Sequence, residues 1–213
     1  MKKIYVILLF LAFSATAQER EVKTSRFVNQ TEIGLLAGRS LTGPTYYYPY
    51  YPNPYLYLAS SSYIAYPKTE YKEKNTGSLS IQTFNGWRIR PRTAVGLTTG
   101  LDAYQGALIM PVAAGVRQVL FEKGPTLSKI QASLDLGAGT LWLDGKDEVS
   151  KKGGLMVNPA VGFIFPTRSG SAFLLNFGYK YQYYSISDAV DADNFREESR
   201  NIKRLQLRLG FQF

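Results

Sequence analysis

The chain has 213 residues, 45% hydrophobic and 14% aromatic, with a formal charge of +9, no cysteine and no histidine. That length suits one domain; the composition excludes disulfides and thiolate chemistry and removes both the usual general base and the commonest metal ligand. The basic residues are interleaved with acidic ones and form no basic helix, which speaks against a nucleic-acid partner.

Residues 1–17 read as a signal peptide. Lys2 and Lys3 give a positive start, 4–13 is an apolar run, and Ala15-Thr16-Ala17 is an A-x-A cleavage site. The run is too short to cross a bilayer as a helix. The expectation is an exported domain over 18–213 with no lipid-bearing cysteine.

From Phe27 onward the pattern has period two, with breaks carrying Gly, Pro and charge. It predicts an all-β chain of eight antiparallel strands at 27–38, 78–90, 93–104, 108–121, 128–142, 154–165, 171–185 and 199–213. Each reaches the roughly 9–11 residues that a tilted transmembrane strand requires. Short turns follow the second, fourth and sixth strands, at Pro91-Arg92, 122–127 and 166–169. Longer connections at 39–77, 143–153 and 186–198 follow the odd strands, with a short one at 105–107. One-sided loop length is a property of outer-membrane barrels and predicts both termini on the periplasmic side.

Alternation leaves open which face meets lipid. In the seventh strand Phe173, Leu175, Phe177, Tyr179, Tyr181 and Tyr183 oppose Leu174, Asn176, Gly178, Lys180, Gln182 and Tyr184. In the eighth, Leu205, Leu207, Leu209, Phe211 and Phe213 oppose Arg204, Gln206, Arg208, Gly210 and Gln212. The polar face also carries Gly34, Gly86, Gly96, Gly100, Gly115, Gly137, Gly139 and Gly162. Glycine weakens a solvated strand, whereas a narrow barrel needs small residues to make room for large ones. The glycine face is therefore assigned to the lumen and the apolar face to lipid. A soluble lipocalin-like barrel is the rival with the faces exchanged. Trp87, Phe163, Phe165, Phe211 and Phe213 near the short turns, and Trp142, Tyr179, Tyr181 and Tyr183 near the long loops, suggest two interfacial girdles. Pro159 stands oddly within a strand, because a central ladder loses a donor there.

Residues 205–213 alternate apolar positions and end in Phe211-Gln212-Phe213, and the chain opens with a short signal ending Ala17-Gln18. In these features, and in Pro111-Val112-Ala113-Ala114-Gly115-Val116-Arg117, it resembles the small outer-membrane β-barrel domain family of Bacteroidota, with its PorT-like and OmpA/OmpX-like barrels. The resemblance implies that Phe211 and Phe213 form the signal read by the barrel assembly machinery. It transfers no activity.

Opposite charges carry the lumen parity: Glu32, Asp102 and Asp135 against Arg88, Arg117, Lys180, Arg204 and Arg208. Buried charges require partners. The expectation is an ion-pair network that plugs the barrel, with a narrow ion path as the alternative. Asp144 with Asp147 is a carboxylate pair in a Gly/Lys-rich loop, and hydrolase chemistry lacks its histidine base, so no enzyme, cofactor or metal is expected. The acidic run Asp188, Asp191, Asp193, Glu197 and Glu198 lacks calcium-loop spacing and a fixing glycine. Lys146, Lys151 and Lys152 are candidates for lipopolysaccharide phosphates.

The segment 39–77 holds ten of the sixteen tyrosines: Tyr46, Tyr47, Tyr48, Tyr50, Tyr51, Tyr55, Tyr57, Tyr63, Tyr66 and Tyr71. Pro44, Pro49, Pro52, Pro54 and Pro67 stiffen it. Tyrosine gives broad amphipathic contact at low entropic cost. The functional reading is an extracellular recognition loop for a protein or glycan; the alternative is a loop that packs over its own barrel mouth. The whole chain then reads as a non-enzymatic outer-membrane barrel, structural or surface-binding, with a narrow channel or a transport or secretion accessory as the rival.

Overall fold

The fold follows from the alternation. In the computed structural model, which describes residues 26–49, 66–68, 72–104, 107–122, 128–141, 149–167, 170–191 and 194–213, every regular element is a strand. The strands are β1 (Phe27–Pro49), β2 (Tyr66–Lys68), β3 (Lys72–Arg90), β4 (Thr93–Tyr104), β5 (Ala107–Glu122), β6 (Lys129–Thr140), β7 (Val149–Pro166), β8 (Ala172–Asp191) and β9 (Asn194–Gln212). Eight long strands pair antiparallel with their neighbours, and β1 also pairs with β9, which closes the sheet into a ring. Closure removes free edges, a requirement for backbone surrounded by lipid. The three-residue β2 adds to β1 alone.

The face assignment holds along the long strands, with Asn29 on β1 buried against its parity. Leu205, Leu207, Leu209 and Phe211 are exposed, while Arg204, Gln206 and Arg208 are buried between them. Phe173 and Phe177 are exposed while Leu174, Asn176 and Lys180 are buried. A soluble barrel would show the reverse, so the lipocalin-like alternative fails.

Strand bounds differ from the expected ones at a single end. Near the short turns they agree within a residue or two. At the other end β1 continues to Pro49, β3 starts at Lys72, β7 starts at Val149, and β8 and β9 run to Asp191 and from Asn194. Most of the connection expected at 186–198, and both flanks of the one expected at 39–77, are therefore strand. The apolar–polar contrast fades there because both faces meet polar surroundings, so the period-two signal disappears while the ladder continues. Thr45 to Pro49 still pair with Glu198 to Asn194, after a register shift between Thr42 and Thr45 that accommodates Pro44. The tyrosines at 50–63 and Tyr71, like residues 1–17, Trp142, Asp144, Lys146, Asp147 and Asp193, lie outside the described residues.

Pro159 faces outward, and the β7–β8 ladder runs from Val157–Tyr181 to Ala160–Gly178 in one register with no pairing at Pro159. The missing donor is absorbed as a local gap rather than a shift. In the short turn after β7, Ser171 accepts the Thr167 backbone N–H at 2.8 Å, and Gly170 takes φ +84°, which a side chain disfavours.

The interior is layered. Val28, Phe84 and Ala94, and separately Ile164, Ala172 and Leu174, form apolar clusters at the short-turn end. Leu36, Tyr104, Ala107, Ile109, Leu141, Tyr184 and Ile202 form a larger one toward the long-loop end. A polar, charged belt lies between them.

Candidate functional site

The belt is built by lumen-parity residues from all eight long strands. Its centre is Arg117 on β5. Its Nη1 donates to Asp135 Oδ1 at 2.7 Å, its Nε to Gln30 Oε1 at 3.1 Å, and its Nη2 to Thr98 Oγ1 at 3.3 Å. The guanidinium lies 4.2 Å from the Phe84 ring centroid, a cation–π contact. Asp135 also accepts from Thr98 Oγ1 at 2.6 Å and Asn158 Nδ2 at 3.0 Å, and Gln206 bonds Asn158. A second centre joins Glu32 to Arg208 Nε at 3.2 Å and Gln82 Nε2 at 2.9 Å, with Asn176 as a further donor. A third pairs Lys180 with Asp102.

Several of these contacts cross the barrel. Lys180 on β8 and Asp102 on β4 stand diametrically opposite in the ring, as do Gln30 on β1 and Gln131 on β6, whose amides bond at 3.0 Å. Side chains thus bridge the lumen along two diameters. Glycines allow this density. A Cβ on Gly115 would sit 2.6 Å from Asp135 Oδ1 and 2.9 Å from Thr98 Oγ1, and one on Gly34 would strike Arg208 Cγ.

Of the charges assigned to the lumen, Glu32, Asp102, Arg117, Asp135, Lys180, Arg204 and Arg208 are buried together. Arg204 bonds Ser40 Oγ at 2.7 Å and Thr76 rather than a carboxylate. Arg88 is not in the belt. It is half-buried at the short-turn mouth, below Phe84 and Gly86, because two further residues of strand carry it past the last apolar layer. Sequence reasoning did not single out the amides Gln30, Gln82, Gln131, Asn158, Asn176 and Gln206 as network members. Their lumen parity was the available signal.

Above the belt, β9 carries Glu198, buried and ion-paired to Arg200, whose Nη1 donates to the Tyr184 hydroxyl at 3.2 Å. Among the described residues no group of acidic side chains is arranged to hold a metal ion. The backbones of Tyr46, Tyr47 and Tyr48 lie on β1 and that of Tyr66 on β2, so these tyrosines belong to raised strands rather than to a loop.

The outer surface carries aromatic rings at the short-turn end. Phe173 and Phe211 have ring centroids 4.5 Å apart, Phe211 and Phe213 6.4 Å, and Phe27 meets Trp87 edge-on at 5.5 Å. Just beyond, at the end of β5, the hydrogen bond from Lys129 holds the Glu122 carboxyl below the usual carboxylate range; burial opposes it, and the charges of Lys129, Arg92 and Arg88 add smaller effects in the lowering direction.

No protein-family model matches the chain, and no curated protein matches it by sequence. Among solved structures it is similar to the outer membrane protein OprG from Pseudomonas aeruginosa, at TM-score 0.61 and 9% identity over 87% of this chain and 93% of that one. Neisserial surface protein A aligns at TM-score 0.43 and 14% identity, covering 88% of this chain and 96% of that one. Ail, the attachment invasion locus protein of Yersinia pestis, aligns at 0.41 and 13%, covering 89% and 100%. With an exposed apolar band, a closed antiparallel ring and the OprG likeness, the chain is an eight-stranded transmembrane β-barrel with the fold of outer-membrane proteins.

Proposed function

We propose that this protein resides in the bacterial outer membrane with both termini periplasmic, as a non-enzymatic barrel that presents a recognition surface at its long-loop end. The observation that carries this reading is the pairing of a blocked lumen with an uneven rim. Asp102, Asp135 and Lys180 are essentially inaccessible and cross-bridged. Meanwhile β1, at 23 residues, and β8, at 20, far outrun the 12 residues of β4 and β6. At about 3.3 Å per residue the surplus is some 30 Å of strand that the bilayer does not require. A barrel used only as an anchor has no need of it. The absence of histidine from the sequence supports the non-enzymatic reading.

The partner chemistry is a protein or glycan met by the tyrosine- and proline-rich segment, with lipopolysaccharide around the basic rim. The test replaces 44–65 with a short Gly/Ser linker. Insertion and heat-modifiability are expected to persist, while crosslinked capture of surface partners from intact cells is lost. Unchanged capture overturns the recognition reading. Single-channel steps in planar bilayers from the wild-type barrel would favour the narrow channel instead.

A further inference from the structure

One stretch of the outward surface breaks the apolar rule. On β1 and β3, Asn29, Thr31, Thr83 and Asn85 have lipid parity and form a hydrogen-bonded ladder. Asn29 Nδ2 donates to Asn85 Oδ1 at 2.6 Å, Thr31 Oγ1 donates to Asn29 Oδ1 at 3.2 Å, and the Thr31 and Thr83 hydroxyls are 3.1 Å apart. The ladder lies between Ile33 and Ile81 on one side and the Phe27–Trp87 pair on the other. Its members satisfy one another in part, and the half-buried Asn85 is bonded within it through its Oδ1. An amide at lipid parity is favoured where its surroundings offer acceptors.

Directly past the aromatic pair, the same strands carry arginines. Arg88 N–H bonds the Arg26 carbonyl at 2.7 Å, which ties Arg26 to β3, and Arg90 at the end of β3 and Arg92 in the turn to β4 are exposed. Among the described side chains at this end, Glu122 is the one carboxylate, and Lys129 already engages it. From the membrane centre outward, β3 presents Ile81, Thr83, Asn85, Trp87 and Ile89, and the exposed Arg90 follows after a register shift between Arg88 and Arg90. A phospholipid reads acyl chain, ester, glycerol, phosphate. Arginine forks suit phosphate, and tryptophan favours the interface between the two zones.

We propose that the short-turn end of β1, β3 and β4 is a binding site for an anionic phospholipid, with Arg26, Arg90 and Arg92 on the phosphate and Asn85 donating at the ester level. The site rests on the reading that this end faces the periplasm, where phospholipid forms the leaflet. A second copy of the chain is the lesser fit, because its docking would oppose two arginine clusters.

Native mass spectrometry of the full barrel, released from nanodiscs of mixed phosphatidylglycerol and phosphatidylethanolamine, tests this. Wild type is expected to retain phosphatidylglycerol selectively. The Arg26→Gln, Arg90→Gln, Arg92→Gln variant is expected to lose that retention by roughly tenfold, as removal of charge-assisted bonds predicts. Asn85→Leu should lower retention of both lipids, since both carry esters, and Arg39→Gln at the opposite end should change neither. Equal retention of the two lipids by wild type, or undiminished selectivity in the triple variant, overturns the site. So does a dimer that the triple variant abolishes. Orientation is read separately by labelling Ser171→Cys. Labelling only after the outer membrane is permeabilised supports the periplasmic placement; labelling on intact cells removes both it and the proposal. Failed lipid selectivity with a protected Ser171→Cys removes the lipid site alone.

Discussion

Two sides of the same ring do different work. On the β4–β5–β6 side the strands end close to the bilayer's needs, and the interior they enclose is crowded around Arg117 and Asp135. On the β8–β9–β1 side the strands climb well past the apolar band, and their outward charges stand in water. Each side has an ion pair of similar length. Arg117–Asp135 is 2.7 Å with side chains 5% and 0% accessible, and Arg39–Glu73 is 2.9 Å with side chains 68% and 52% accessible. Near-equal geometry meets opposite solvation: the first pair is enclosed, and the second stands at the surface.

The largest expected effect breaks the buried pair. Arg117→Leu leaves the Asp135 carboxyl enclosed without its cation, a loss of about 3–5 kcal/mol for such a truncation. It is read as a lowered urea midpoint in refolded, lipid-reconstituted barrel. A midpoint equal to wild type would dissolve the contrast between the two sides.

Crowding sharpens it next. Gly115→Ala pushes a methyl against Asp135 and Thr98, whereas at Gly77, on the raised part of β3, the nearest atom to an added Cβ is Leu36 O at 3.9 Å. The first change is expected to destabilise by about 1–3 kcal/mol. Gly77→Ala is expected to be neutral within about 0.5 kcal/mol. Equal losses would show that the interior is no tighter than the wall.

Arg39→Gln should cost only about 0.2–1 kcal/mol, and the cost should vanish in high salt. A salt-independent loss would mean that the raised wall is less solvated than its exposure indicates. The smallest effect concerns pH. The Glu122 carboxyl is held below its ordinary range by Lys129 and the nearby arginines. Its contribution is present above the unfolded-state pKa and fades as pH falls through the folded one. Glu122→Gln should therefore be slightly less stable than wild type at neutral pH and converge with it at low pH, which flattens the acid side of the stability profile. A variant that loses as much stability at low pH as wild type would move this acid sensitivity elsewhere.

Much of this was legible in the chain. Strict alternation gave the eight strands, and the company glycine keeps gave the face. Gly34, Gly115 and Gly162 share parity with Arg208, Asp135 and Asn176, and only a crowded interior gives a strand reason to discard so many side chains. Alternation reports on contrast between two environments. It works where one face meets lipid and the other the lumen, and it fails from Arg39 to Pro49 and from Ile186 to Asp191, where the contrast is gone.

Partners across the lumen needed the ring itself. The sequence places Lys180 and Asp102 on the same face of distant strands, and nothing in it sets the stagger that brings strands four positions apart into register. Ring closure through β1 and β9 fixes that stagger, and with it the contacts of Lys180 with Asp102 and of Gln30 with Gln131; Arg117 and Asp135 lie on neighbouring strands, whose own register brings them together. Local chemistry wrote the strands and their faces; the shear of a closed sheet decided which side chains meet across the lumen, because that quantity belongs to the whole ring and to no single segment.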